Sequence, residues 1–133
     1  MRSSLGIGLI LGIVALGGVG VPAAQDGLTK QDRQGSVTVA ITLTAPPAIG
    51  TPVRAKVVLD THSVGLDGIA FDQVVAVRTS DGAEQAPTAV EQVTGSAHHR
   101  QAVLVFPPLA SGGSLQIIVK NVGGVAERSF VWE

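Results

Sequence analysis

The spacing of glycine and proline is the feature that most restricts how this chain can fold. These residues divide the sequence into short segments in which apolar and polar side chains alternate, as they do in half-buried β-strands. In residues 36–43, for example, Val37, Val39, Ile41 and Leu43 alternate with serine, threonine and alanine. The pattern predicts seven strands, at residues 36–43, 53–62, 71–78, 86–93, 99–106, 114–121 and 126–132. Residues 1–23 are predicted to form an N-terminal signal helix, and no later segment has a convincing helical period.

Seven short strands at regular spacing predict an all-β fold, an antiparallel immunoglobulin-like β-sandwich of about seven strands. A small β-barrel is the main alternative. The chain has no cysteine and no tyrosine, so the disulfide and tyrosine corner of antibody domains are absent and only the architecture is predicted. Trp132 shares a strand face with Phe130 and is expected in the core. The other expected core residues are Val57, Leu59, Leu104, Phe106, Leu115, Ile117 and Phe130.

Residues 1–23 have the order of features of a secretory signal peptide. Arg2 supplies positive charge, residues 5–21 are apolar and uncharged, and Val21-Pro22-Ala23 offers the small residues that signal peptidase requires. Cleavage after Ala23 is favoured over an uncleaved membrane anchor, although the apolar run approaches the ~20 residues that span a bilayer. Residues 24–35 are predicted to be a flexible leader and residues 36–133 the β-sandwich domain. Both outcomes predict a periplasmic or extracellular protein.

Composition excludes several classes of function. The formal net charge is −1 and only 14% of the residues are charged, so no basic surface is expected that would attract nucleic acid. The absence of cysteine excludes thiolate metal sites and leaves imidazole as the main ligand for a transition metal. The chain has three histidines, and any such site would have to use them.

Two stretches of sequence hold all of these histidines. His62 follows Asp60 at the end of the second predicted strand, and His98 and His99 precede Arg100 at the start of the fifth. In an immunoglobulin-like layout the second and fifth strands are antiparallel neighbours, so we expect the two stretches to meet. The alternation of side chains places Asp60 and His62 on the same non-core face, provided that the strand continues so far.

A transition-metal site is one interpretation of this cluster. Imidazole and carboxylate ligands suit Cu(II) or Zn(II), and the candidate ligands are Asp60, His62, His98 and His99. Neighbouring residues on a strand point to opposite faces, so only one of His98 and His99 can join His62 without a bulge. The favoured alternative is a surface network without metal, in which Asp60 pairs with Arg100 and His62 bonds a backbone group.

Several motifs, taken together, resemble a recurrent family of small exported domains in bacteria and archaea. They are LDTHSVGLDG, VVAVRTSDG, GSAHHRQAVLVFP and VKNVGGVAERSFVWE, and the resemblance covers residues 53–133. It implies an all-β exported domain and no particular activity. The family's polar residues correspond to residues 60–63 and 98–100, whereas the tyrosine and tryptophan expected near residues 84–92 are missing here.

The sequence predicts an exported binding or accessory module, with a transition metal as candidate ligand and another cell-envelope protein as candidate partner. A membrane is a partner only if the N-terminal segment is retained. No enzymatic activity is expected, because Ser63 and Thr61 lack a nucleophile elbow and Asp60 lies too far from His62 to orient its ring directly. The alternative is a structural or protein-interaction domain without a ligand, in which the polar cluster only stabilises the fold.

Overall fold

The computed structural model describes residues 27–133, and the predicted signal segment with the first part of the predicted leader lies outside that range. Within it the chain forms nine strands and one helical turn. They are β1 (Thr29–Asp32), β2 (Val37–Leu43), β3 (Val53–Thr61), α1 (Phe71–Val74), β4 (Val75–Arg78), β5 (Glu84–Gln85), β6 (Ala89–Gly95), β7 (His99–Phe106), β8 (Leu115–Val122) and β9 (Val125–Trp132). No helix in the described part is long and apolar enough to cross a membrane.

The strands form two antiparallel sheets that share one core, in a β-sandwich-like arrangement. The five-stranded sheet has the order β1-β2-β3-β7-β6, and the four-stranded sheet has the order β5-β4-β8-β9. Apart from one parallel bridge between Ile49 and Leu109, all pairing is antiparallel. The all-β prediction is confirmed, and the fifth predicted strand, β7, is an interior strand of its sheet.

Alternation along the strands explains the core. In β2 every second residue, from Val37 to Leu43, is buried, and β3 has the same pattern from Val53 onward. All seven predicted core residues and Trp132 are at most 3% exposed. Because a strand has a side-chain period of two, this set also fixes which residues face solvent.

The structure differs from the sequence prediction in three regions, namely at α1, along β5 and β6, and at β1. Residues 71–74 form a helical turn, because a turn places Phe71 and Val75 together in the core while the polar Gln73 stays exposed. A continuous strand would have put Gln73 on the same side as those two residues. The strand β6 is interrupted by a bulge after Glu91, with Gln92 at a φ of 52°, and the two-residue β5 has no sequence signal of its own.

The third and largest difference is β1, which lies within the predicted flexible leader. It pairs with β2 and is held on its other side by two inward-facing side chains of β9. The indole Nε1 of Trp132 donates to the Leu28 carbonyl at 3.2 Å, and Nη1 of Arg128 donates to the Asp32 carboxylate at 3.1 Å. These partners come from elsewhere in the chain, which is why the polar segment gave no strand signal of its own.

Arg128 is the most unusual residue of the interior, since its side chain is completely buried. Besides the Asp32 carboxylate, its guanidinium donates to the backbone carbonyls of Val37 and Val122, both at 2.8 Å. Within residues 27–133 its Nε finds no hydrogen-bond partner. The arginine therefore joins the β1–β2 turn of one sheet to the β8–β9 turn of the other.

Close contact of these two turns requires glycine. Gly123 has a φ of 64°, and a Cβ atom at that position would lie 2.9 Å from the Val37 backbone nitrogen. The Ser36 amide donates to the Gly123 carbonyl at 3.2 Å. A side chain at Gly123 would separate the turns and open the site of the buried arginine.

Candidate functional site

The candidate site is the end of the sandwich that carries His62, His98 and His99, which we call the histidine end. It is formed by the β3–α1 loop, the β6–β7 turn and the β8–β9 turn. The predicted proximity of the two histidine-bearing stretches is confirmed, because β3 and β7 are neighbours and Asp60 pairs with His99 in register. Beyond that pair, the Thr61 amide donates to the His98 carbonyl at 3.0 Å.

The closest side-chain contact in this region joins Asp60 and His99 on the solvent face of the five-stranded sheet. Nδ1 of His99 donates to Oδ1 of Asp60 at 2.5 Å, and each side chain is about half exposed. The other ring nitrogen, Nε2, lies 3.4 Å from the side-chain oxygen of Gln101. The carboxylate thus fixes the orientation of the imidazole, while one side of the ring stays open to solvent.

The electrostatic effect of this contact is to favour protonated His99. The hydrogen bond to Asp60 raises the pKa of His99 above its usual value, partial burial opposes the shift, and the charge of Asp60 and the contact with Gln101 add to it. The positive charge of nearby Lys56 has a smaller, lowering effect on this pKa. His99 is therefore the cationic member of an exposed ion pair under mildly acidic conditions.

Replacing Asp60 with asparagine should lower the pKa of His99 toward ~6.5. The folded-state pKa of His99 exceeds its unfolded value, so the stabilisation is complete below ~6.5 and disappears as the pH rises through the folded value. Because both groups are half exposed, we expect the stabilisation to be about 0–1 kcal/mol. An NMR titration of the His99 ring measures the shift, with Glu91→Gln as a control that removes a carboxylate bound to Arg54 instead. Superimposable titration curves for wild type and Asp60→Asn would refute this role of Asp60.

His62 does not extend the β3 face as the sequence predicted, because β3 ends at Thr61. The Thr61 hydroxyl donates to the Ser36 carbonyl at 2.8 Å and accepts from the amides of Ser63 and Val64 at 3.2 and 3.3 Å. These bonds turn the chain before His62, whose side chain lies exposed on the loop. The expectation that Asp60 and His62 share one strand face is therefore wrong.

Arg100 has a different role from the predicted pairing with Asp60. Since it is adjacent to His99 on a strand, it points to the opposite face. Its Nη1 donates to the carbonyls of Leu66 and Ile69 at 2.9 and 2.7 Å, and its guanidinium lies 5.2 Å from the ring centroid of Phe71. Arg100 thus holds the β3–α1 loop in place, and the ion pair that the network interpretation assigned to it belongs to His99.

Of the four predicted metal ligands, the structure joins Asp60 and His99 and leaves His62 and His98 on adjoining loops. In residues 27–133, no three histidine, aspartate or glutamate side chains lie together as a metal-binding group. Comparisons with protein-family models, with curated proteins and with solved structures found no match. The chemistry of the site therefore has to be inferred from its own residues.

A cleft of about 370 Å³ lies away from the histidines, between the β4–β5 hairpin and the β7–β8 loop. Its lining includes Val77, Leu109 and Leu115 together with several serine and threonine residues. The Asp81 carboxylate at its rim is already occupied by the Thr79 hydroxyl and the Ala83 amide, and these hydrogen bonds lower the pKa of Asp81. None of Asp60, His62, His98 and His99 lines this cleft.

Proposed function

We propose that this protein is an exported binding module with an immunoglobulin-like fold, which contacts a partner through its histidine end. The strand order supports the fold assignment. In the immunoglobulin arrangement, strands A, B, E and D form one sheet and strands C, F and G the other. Here β2, β3, β7 and β6 occupy the first set of positions and β4, β8 and β9 the second. The strand β5 extends the second sheet, and β1 precedes the first.

The observation that carries the proposed function is that all three histidines are exposed on one end of the sandwich. They lie on a loop, a tight turn and a strand start, where connecting segments are free to vary without disturbing the core. Their surroundings form an open surface, which suits contact with a macromolecule better than enclosure of a small substrate. Histidine, serine and aspartate side chains at this surface offer both hydrogen-bond donors and acceptors.

Export is inferred from residues 1–23, and it places the module in the periplasm or outside the cell. A neighbouring cell-envelope protein is the partner that this location favours. The resemblance of residues 53–133 to small exported domains agrees with the same location and adds no activity.

Site-specific photo-crosslinking in intact cells tests the proposal. A photoreactive amino acid at Val64, which is exposed on the β3–α1 loop, should give a discrete covalent adduct with one partner. The same amino acid at Val131, equally exposed on β9, is the matched control and should not give it. Absence of an adduct at Val64, or the same adduct from both positions, would favour the alternative of a structural domain without a partner at this end.

Binding of Cu(II) or Zn(II) is a second candidate function, supported by the Asp60–His99 contact. The side chains of Asp60 and His99 are already in contact, and a third ligand would have to come from His62 or His98 by movement of a loop. Calorimetric titration of the protein at neutral pH should then show saturable uptake that His99→Gln abolishes. Since the ligands must be deprotonated, affinity should fall as the pH drops through the raised pKa of His99. Identical, non-saturating heats for wild type and His99→Gln would end the metal interpretation.

A further inference from the structure

The end of the sandwich opposite the histidines has an unusual surface, which we call the proline end. It consists of the β2–β3 loop, residues 44–52, and the β7–β8 loop, residues 107–114. Five of the seven prolines of the chain lie in these loops, namely Pro46, Pro47, Pro52, Pro107 and Pro108, and neither loop contains a charged residue.

Direct contacts join the two loops into one surface. Ile49 and Leu109 form a parallel bridge, and the Gly50 amide donates to the Leu109 carbonyl at 3.0 Å. Ile49 is 60% exposed, more than any other large apolar residue in the described range. An exposed apolar side chain on two joined loops that contain no charged residue is typical of contact with an apolar partner.

The chain enters the sandwich at this same end. The Leu28 carbonyl accepts from the Leu43 amide at 3.0 Å, and Leu43 is the last residue of β2 before the first of the two loops. Residues 1–26 therefore connect to the domain beside the proline end. Those residues include the uncharged apolar run at 5–21, which is close to the length that spans a bilayer.

We propose, in place of the cleavage that residues 21–23 favour, that residues 5–21 are retained as a membrane anchor and that the proline end rests on the bilayer surface, with Ile49 at the lipid interface. Apolar, uncharged loops avoid the desolvation cost that charged side chains would incur at such a surface. The histidine end then points away from the membrane, since β7 alone separates the two ends by about 24 Å. The inference rests on the proposed export of the chain and adds the tether and the orientation.

Because the protein has no cysteine, single thiols can report on this orientation without background. The full chain carrying Ile49→Cys or Val64→Cys is labelled with an environment-sensitive fluorophore and reconstituted into equimolar phosphatidylethanolamine and phosphatidylglycerol vesicles. Some of the lipids carry a headgroup-linked quencher. The label at position 49 should lose most of its fluorescence, and the label at position 64, on the histidine end, should keep it.

Three outcomes would overturn the orientation. Equal quenching at both positions, or quenching at neither, means that the proline end does not face lipid. Lipid-independent self-quenching at position 49 means that the surface joins two copies of the chain. N-terminal sequencing of the native protein is the complementary test. A start at Ala24 would refute the anchor and leave the proposal of an exported module intact. A cytoplasmic location of the protein would refute both proposals.

Discussion

Replacing Arg128 with alanine should lower the free energy of unfolding by about 3–5 kcal/mol. The guanidinium has no exposed surface, and its removal leaves the Val37 and Val122 carbonyls without this donor and the Asp32 carboxylate with only its hydrogen bonds from Gln34. Unpaired buried acceptors keep the full cost of desolvation. Urea unfolding of wild type and variant measures this difference in free energy. Arg128→Lys provides a milder change, which keeps the positive charge and loses the planar donor geometry.

The matched control is Arg54→Ala, which removes an arginine whose ion pair with Glu91 is exposed. Those two side chains are 43% and 40% exposed, so the expected loss is only about 0–1 kcal/mol. Similar losses for Arg54→Ala and Arg128→Ala would show that Arg128 does not lock the two turns together.

The same contact makes stability depend on acid pH through Asp32. Burial alone would raise the pKa of Asp32, but hydrogen bonds from Gln34 and the charge and hydrogen bond of Arg128 outweigh it, and the pKa is lowered. A lowered pKa gives stabilisation that is complete above the unfolded value of ~3.9 and is lost as the pH falls through the folded value. In Asp32→Asn, the free energy of unfolding should therefore depend less steeply on pH in this acid range.

Replacing Phe106 with alanine should cost about 3–5 kcal/mol of stability. Phe106 is fully buried, and it ends β7, an interior strand of its sheet, opposite Val53. Truncation of a large ring in a close-packed core loses its transfer free energy and leaves a cavity. The chain has only three phenylalanines and one tryptophan, so no other large side chain is at hand to fill the space.

Val105→Ala is the control for Phe106→Ala, because the adjacent residue points to the solvent face of the same strand. Its expected loss is about 1 kcal/mol or less. Urea unfolding of both variants distinguishes the positions, and a loss below about 1 kcal/mol for Phe106→Ala would contradict its central place in the core.

The local sequence shows which side chains are buried, because the two-residue period of burial is a property of each strand separately. It predicted the seven main strands and the core residues from Val57 to Phe130. The same period also places Arg128 on the strand face that carries Phe130 and Trp132. A charged residue in phase with two buried aromatic residues predicts either a buried ion pair or an interrupted strand.

The candidate site was only partly predictable. The contact of Asp60 with His99 follows from the pairing of the second and fifth predicted strands, which the expected topology includes. The position of His62 does not, because it depends on a hydrogen bond from Thr61 to Ser36 in the β1–β2 turn. The predicted pairing of Asp60 with Arg100 is wrong because the register between β3 and β7 places His99 opposite Asp60. The sequence of either strand alone does not determine that register.

The sequence by itself determined the all-β class, the strand-forming segments and the residues of the core, because these depend on local alternation and on glycine and proline. Only the tertiary structure decided the rest. It made a strand of the polar segment at Thr29–Asp32, buried the charge of Arg128 between two turns, and placed the histidines and the proline-rich loops at opposite ends. The reason is physical: each of these features is stabilised by groups far away in the chain, and only folding brings those groups within hydrogen-bonding distance.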